Sequence, residues 1–300
     1  MDNLRGALLM VLSMLGFAIE DMFIKLLADS VPTGQIIAML GIGGALIFGV
    51  VVLAQGQRIF EPAMLGTPVL LRAAGEIIGA VCFITAITLT PLSTASAILQ
   101  ATPLVVTLGA ALFLAEPVGW RRWSAIGAGF LGVLLIIRPG LDGFSPLSLF
   151  AVVAVIGLAM RDIATRRVAS TLTSMQLSFL GFLAIIPAGL ALLWIADAAP
   201  VPLDPRSALY TGAALGIGVF AYYAIVAAPR IGDVSFISPF RYSRLIFALL
   251  IGIAVFSERP DMLTLAGAAI IVASGIYTVW RERKLRRPPI ATLSNPGRSG

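Results

Sequence analysis

Residues 16–36 read GFAIEDMFIKLLADSVPTGQI, and residues 157–177 read GLAMRDIATRRVASTLTSMQL. Aligned at a shift of 141 without a gap, the two stretches share Gly16/Gly157, Ala18/Ala159, Asp21/Asp162, Ala28/Ala169 and Gln35/Gln176, with Lys25/Arg166 and Thr33/Ser174 as chemical equivalents. The same shift, to within one residue, pairs TLGAALFLAE, which closes on Glu116, with LLIGIAVFSE, which closes on Glu258. After a slip of two residues, Gly127-Ala128 pairs with Gly267-Ala268. The periodicity reads as a duplication: one unit over 1–140, a second over 141–280, and a basic tail over 281–300.

Working outward, apolar runs between Gly, Pro and Arg punctuation give ten candidate helices. They lie near 6–27, 33–53, 67–89, 94–114, 123–138, 146–164, 174–195, 208–228, 234–256 and 262–280. All but the shortest, 123–138, come close to or exceed the length of about 20 predominantly apolar residues that a bilayer crossing takes. Five helices per unit is an odd number, so the second copy enters the membrane from the opposite side. The fold expected is therefore an all-α polytopic membrane protein of ten transmembrane helices in two inverted five-helix repeats. Arg5 ahead of the apolar stretch 6–19 resembles a secretory signal, but Phe17-Ala18-Ile19-Glu20-Asp21 is a poor cleavage site and nine further runs follow.

Composition agrees. The chain is 59% hydrophobic and only 12% charged, against about 25% charged in soluble domains. With the N-terminus inside, cytoplasmic segments collect 15 Lys and Arg, and the opposite side keeps Lys25, Arg138, Arg206 and Arg259. That asymmetry follows the positive-inside rule and places both termini in the cytoplasm. The net charge of +6 is thereby explained by loops and tail, so a lipid bilayer and not nucleic acid is the expected partner. The chain has no His and one Cys. This excludes a Ser-His-Asp hydrolase, a His-ligated metal or haem, an intramolecular disulfide and a thiolate cluster. Cys82 reads as a small core residue. No cofactor or metal site is expected, and no Gly-rich loop ends in Gly-Lys-Ser/Thr, so ATP-driven transport is not expected.

Two five-helix halves, a Gly/Ala-rich fourth helix ending in LAEPVGW (114–120) and a ninth ending in FSERP (256–260) resemble the drug/metabolite transporter superfamily, EamA type. The resemblance runs from about Gly6 to Trp280. ISPFRYSRLIFALLIG (237–252) is similar to a subgroup of riboflavin and S-adenosylmethionine uptake carriers. The resemblance implies a non-enzymatic secondary carrier of a small polar metabolite in the bacterial inner membrane. It names riboflavin uptake as the first substrate expectation, with S-adenosylmethionine, amino acids or export of another metabolite as alternatives. A membrane enzyme acting on a lipid head group is the rival from another class, but short loops without a paired-carboxylate cluster do not favour it. Homodimerisation is not readable from these patterns.

Ionisable side chains inside a bilayer cost about 2.5–3.5 kcal/mol each on insertion scales, so the few present are the candidate site. Arg241 and Arg244 share a helical face beside Tyr242 and follow Pro239, which should kink or unwind the ninth helix. They read as a cationic wall for an anionic or planar substrate, or as members of an interhelical ion pair. Glu76, four residues after Arg72, reads either as a partner for Arg241 or Arg244 or as a coupling or substrate-binding carboxylate. Asp21 and Lys25 read as an architectural pair repeated at Asp162 and Arg166. Glu20, replaced by Arg161 in the second copy, reads as the cavity-lining and second coupling candidate. Gln100 corresponds to Tyr242 at a shift of 142, so both should face the pseudo-twofold axis, near Pro103 and the hydroxyls of Thr94, Ser96 and Thr102. Glu116 and Glu258 read as caps at helix ends.

Overall fold

The computed structural model describes residues 2–114, 119–140, 145–231 and 234–285. Among these, ten helices are long and apolar enough to cross a membrane. The first three spans are α1 (Asp2–Leu27), α2 (Thr33–Ala54) and α3 (Thr67–Leu89). The fourth is interrupted, running as α4 (Leu92–Leu99) and α5 (Thr102–Phe113). Next come α6 (Trp120–Ile137), α7 (Ser148–Thr165), α8 (Ser174–Ile195) and α9 (Pro205–Ile231). The ninth span is broken more sharply. A short α10 (Val234–Ile237) and a 3-10 turn (Ser238–Tyr242) precede α11 (Ser243–Phe256), and α12 (Met262–Leu285) completes the bundle. The helix continues to Leu285, so the segment expected as a tail from residue 281 begins as helix; 286–300 lie outside the described residues, as does Glu116.

Local chemistry sets these limits. Pro68 and Pro103 lie in the first turns of α3 and α5, where a missing N–H costs nothing. Thr173 and Gln176 form a reciprocal capping box that starts α8. Pro239 sits in the 3-10 turn before α11, as expected of a residue that cannot donate to the helix ladder.

The four most extensive helix pairings are α1 with α9, α2 with α8, α3 with α7, and α6 with α12, and α4 also packs on α11. Exchanging the five spans of one copy for those of the other turns α1·α9 into α7·α3 and maps each remaining pair onto itself. Close approach is made by small residues, because apolar attraction between helices is weak in lipid. Where α2 crosses α8, a Cβ on Gly34 would stand 2.6 Å from the Gly189 carbonyl oxygen, and one on Gly189 would stand 2.6 Å from that of Gly34. Large apolar side chains such as Leu46, Val50, Leu131, Leu209 and Leu250 point outward, the arrangement that a hydrocarbon solvent requires.

Candidate functional site

The breaks in the fourth and ninth spans meet. Gln100, the residue that ends α4, donates from Nε2 to the Tyr242 carbonyl at 3.1 Å, and both residues are buried. The expected opposition of these two positions is thus a hydrogen bond between the breaks. The Tyr242 ring itself packs on Gly275 of α12. Its hydroxyl, Ser96 Oγ and Arg244 Nε are buried polar atoms without a hydrogen-bond partner among the described residues, and such atoms call for an explanation in a native structure. At both junctions the backbone keeps right-handed helical dihedrals and tightens to 3-10 bonding without unwinding.

Arg244 opens α11 immediately after the second break. Its Nη2 donates to Asp21 Oδ2 at 2.7 Å, and its guanidinium carbon lies 5.1 Å from the centre of the Phe17 ring and 5.3 Å from that of Phe83. Glu20 interacts electrostatically with both Asp21 and Arg244. Its carboxylate lies on the backbone of α9 at Gly218, where a Cβ would stand 2.7 Å from the carboxyl carbon. Any side chain at 218 would have to displace Glu20. Two carboxylates, one guanidinium and two aromatic faces therefore converge from α1, α3 and α11.

The repeat-related position is built differently. Arg161 bonds Asp162 Oδ1 at 2.9 Å and Glu76 Oε1 at 3.3 Å. Arg72 reaches Glu76 at 3.7 Å and donates to the Leu177 carbonyl at 2.8 Å. Glu76 thus pairs with Arg72 and Arg161, not with the arginines of the ninth span. The expected Asp21–Lys25 and Asp162–Arg166 pairs are corrected in the same way: each aspartate turns to an arginine, Arg244 for Asp21 and Arg161 for Asp162. Arg241 departs from its expected place beside Arg244: it lies in the 3-10 turn and is exposed, whereas Arg244 turns inward to Asp21.

A second cross-connection ties the far ends of these elements. Lys25 Nζ donates to the carbonyls of Ile87 and Thr90 at 2.9 and 2.6 Å and lies over the Phe256 ring. Glu258 accepts the N–H groups of Leu92 and Ser93 at 2.5 and 2.9 Å and stands 4.0 Å from Lys25. Ser257 is left-handed, which turns Glu258 back over Gly252, where a Cβ would stand 2.5 Å from Oε2. The glutamate read as a cap does cap a helix, but that of α4 in the other repeat. Sequence spacing could not reveal this, since the partners are 166 and 165 positions apart. Among the described residues no group of His, Cys, Asp and Glu is arranged to hold a metal ion.

The EamA-like transporter family model matches twice, over residues 4–138 and 146–280. The chain belongs to this family. This EamA chain is 28% identical over 203 residues to an S-adenosylmethionine uptake transporter of Rickettsia prowazekii, an alignment covering 66% of each protein. It thus spans just under two thirds of that relative's length. It is 28% identical to a riboflavin transporter of Rhizobium johnstonii, covering 95% of the chain and 94% of the relative. It is 27% identical to the pseudopaline exporter CntI of Pseudomonas aeruginosa, strain UCBPP-PA14, covering 90% and 94%. A solved structure with 19% identity superposes with a TM-score of 0.56, covering 92% of the chain and 99% of the other. The EamA chain is accordingly a multi-pass membrane protein of a transporter family.

Proposed function

We propose that this chain is a secondary carrier in the bacterial inner membrane, working by alternating access between two inverted repeats with both termini in the cytoplasm. The exchange symmetry of the helix pairs supports this reading, as does the meeting of two broken spans at Gln100 and Tyr242. The substrate site is centred on Glu20, Asp21 and Arg244, with Phe17 and Phe83 as its aromatic faces. Gln100 and Tyr242 hold the breaks together. Glu76 belongs to an internal ion-pair network and Arg241 lies at the margin.

The observation that carries the substrate class is the engagement of Arg244 by Asp21. It neutralises the guanidinium and leaves Glu20 as the excess charge, so the site suits a cation or a zwitterion better than an anion. S-adenosylmethionine has the matching form: a carboxylate for Arg244, cationic groups for Glu20, and a flat base for the aromatic faces. Riboflavin is the second reading, favoured by those same faces, and with this neutral substrate Glu20 serves as the proton-exchanging carboxylate.

The test is transport by the purified chain in liposomes, in both directions, of labelled S-adenosylmethionine and riboflavin with and without an imposed pH gradient. Saturable S-adenosylmethionine uptake that fails in Glu20→Gln is the expected result. Movement of neither compound in either direction overturns the substrate assignment, and riboflavin transport unaffected by the gradient overturns coupling through Glu20.

A further inference from the structure

A separate feature lies on the outer surface, where α6 begins and α12 ends. A cavity of about 330 Å³ is lined by Gly119, Trp120, Arg121, Arg122 and Arg281. It shares Trp120 and Arg121 with a second, more apolar groove of about 420 Å³, which runs up the seam between the two helices past Ala125, Ala128 and Ala273. Arg121 lies over the Trp120 ring at 5.3 Å. Trp120, Trp123, Tyr277 and Trp280 are all exposed in these end turns, the amphipathic residues that settle at the headgroup level.

We infer that this seam is a binding site for an anionic phospholipid, with its phosphate between Arg121 and Arg281 and an acyl chain in the groove between α6 and α12. Basic pockets between helices on the cytoplasmic side recognise acidic headgroups, and the positive-inside reading puts this end on that side. A soluble anion would use only the basic mouth. The apolar groove continuing from it, floored by alanines small enough to admit a chain of methylenes, selects a lipid. Arg138, at the opposite end of the seam, donates from Nη2 to both carboxylate oxygens of Asp261 and keeps the two helices together, so the groove has fixed walls. The inference is independent of the substrate assignment, because none of these residues takes part in the central cluster.

The experiment is thermal unfolding of the purified full-length chain in neutral detergent, with added phosphatidylglycerol, phosphatidylcholine or inorganic phosphate. Phosphatidylglycerol should raise the midpoint by several degrees, and phosphatidylcholine by less than half as much. Arg121→Gln combined with Arg281→Gln should remove at least half of the increment. Ala273→Phe, which fills the groove and keeps every charge, should do the same, whereas Arg206→Gln, an exposed arginine in α9, should retain it. Should Ala273→Phe not fold, Ala128→Phe replaces it, read by the phosphatidylglycerol that co-purifies in native mass spectrometry. Equal effects of the two lipids, or a full increment in the double variant, overturn the inference. So does an increment reproduced by phosphate and indifferent to the groove variants, which would mark a site for soluble anions.

Discussion

The clusters around Glu20 and Arg161 occupy the same place in the two copies, yet they carry opposite charge at the same position. Asp21 and Asp162 are common to both. In the second copy Arg161 is matched by Asp162 and Glu76, with Arg72 completing a network of two acids and two bases from neighbouring helices. In the first copy Glu20 replaces the arginine, and the single balancing charge, Arg244, comes from beyond a helix break. One cluster is closed by its own packing. The other is one positive charge short and depends on a segment whose backbone is already interrupted. The family model matches both halves, and the reversal of charge between Glu20 and Arg161 is the difference on which the proposed ligand site rests.

Breaking the Arg244–Asp21 pair gives the largest effect. Arg244→Ala leaves Asp21 buried without its partner, an arrangement that costs about 3–5 kcal/mol, and should abolish transport. Adding Asp21→Asn should recover thermal stability in detergent but not uptake, which separates folding from binding. Glu20→Gln comes next, lowering uptake by at least about tenfold, in line with a polar interaction worth about 1.5–3 kcal/mol, with little change in the unfolding midpoint. Arg161→Gln is the contrasting test. It should lower stability by about 1–3 kcal/mol as Glu76 and Asp162 lose a partner, while uptake per folded molecule stays within about twofold. Equal transport losses from Glu20→Gln and Arg161→Gln would erase the functional distinction between the clusters.

The smallest effect belongs to the same chemistry in water. Arg138 holds the Asp261 carboxyl well below the usual carboxylate range, aided by the N–H of Thr264. Because the folded-state value is depressed, the contribution is present above the unfolded value of about 3.9 and is lost only as pH falls toward the folded one. Asp261 is half exposed, so Asp261→Asn should cost no more than about 1 kcal/mol. Stability of the wild type measured from pH 7 to 5 should not register this pair.

The ten spans, the break at Pro239 and the opposition of Gln100 and Tyr242 were all legible in the sequence, because apolar length, proline chemistry and a repeat shift are one-dimensional signals. Glu20 and Arg244 stood out as charges inside apolar runs. Their partners did not. Asp21 four residues before Lys25 looks like a helical pair, and only the packing of α11 against α1 supplies the better partner. Arg241 and Arg244 lie three apart and look equivalent in sequence, and only packing shows that Arg244 turns to Asp21 while Arg241 stays exposed. Phe17 and Phe83 carry no signal in sequence, since apolar rings in apolar spans are ordinary.

The connection at Lys25 has a practical consequence. The chain contains only two lysines, Lys25 and Lys284, and the amine of Lys25 is engaged by two carbonyls and shielded by Phe256. A small impermeant amine-reactive reagent applied from the Lys25 face therefore has one lysine to find. The rate at which residue 25 becomes modified would report how often that end of the molecule opens, with no engineered label.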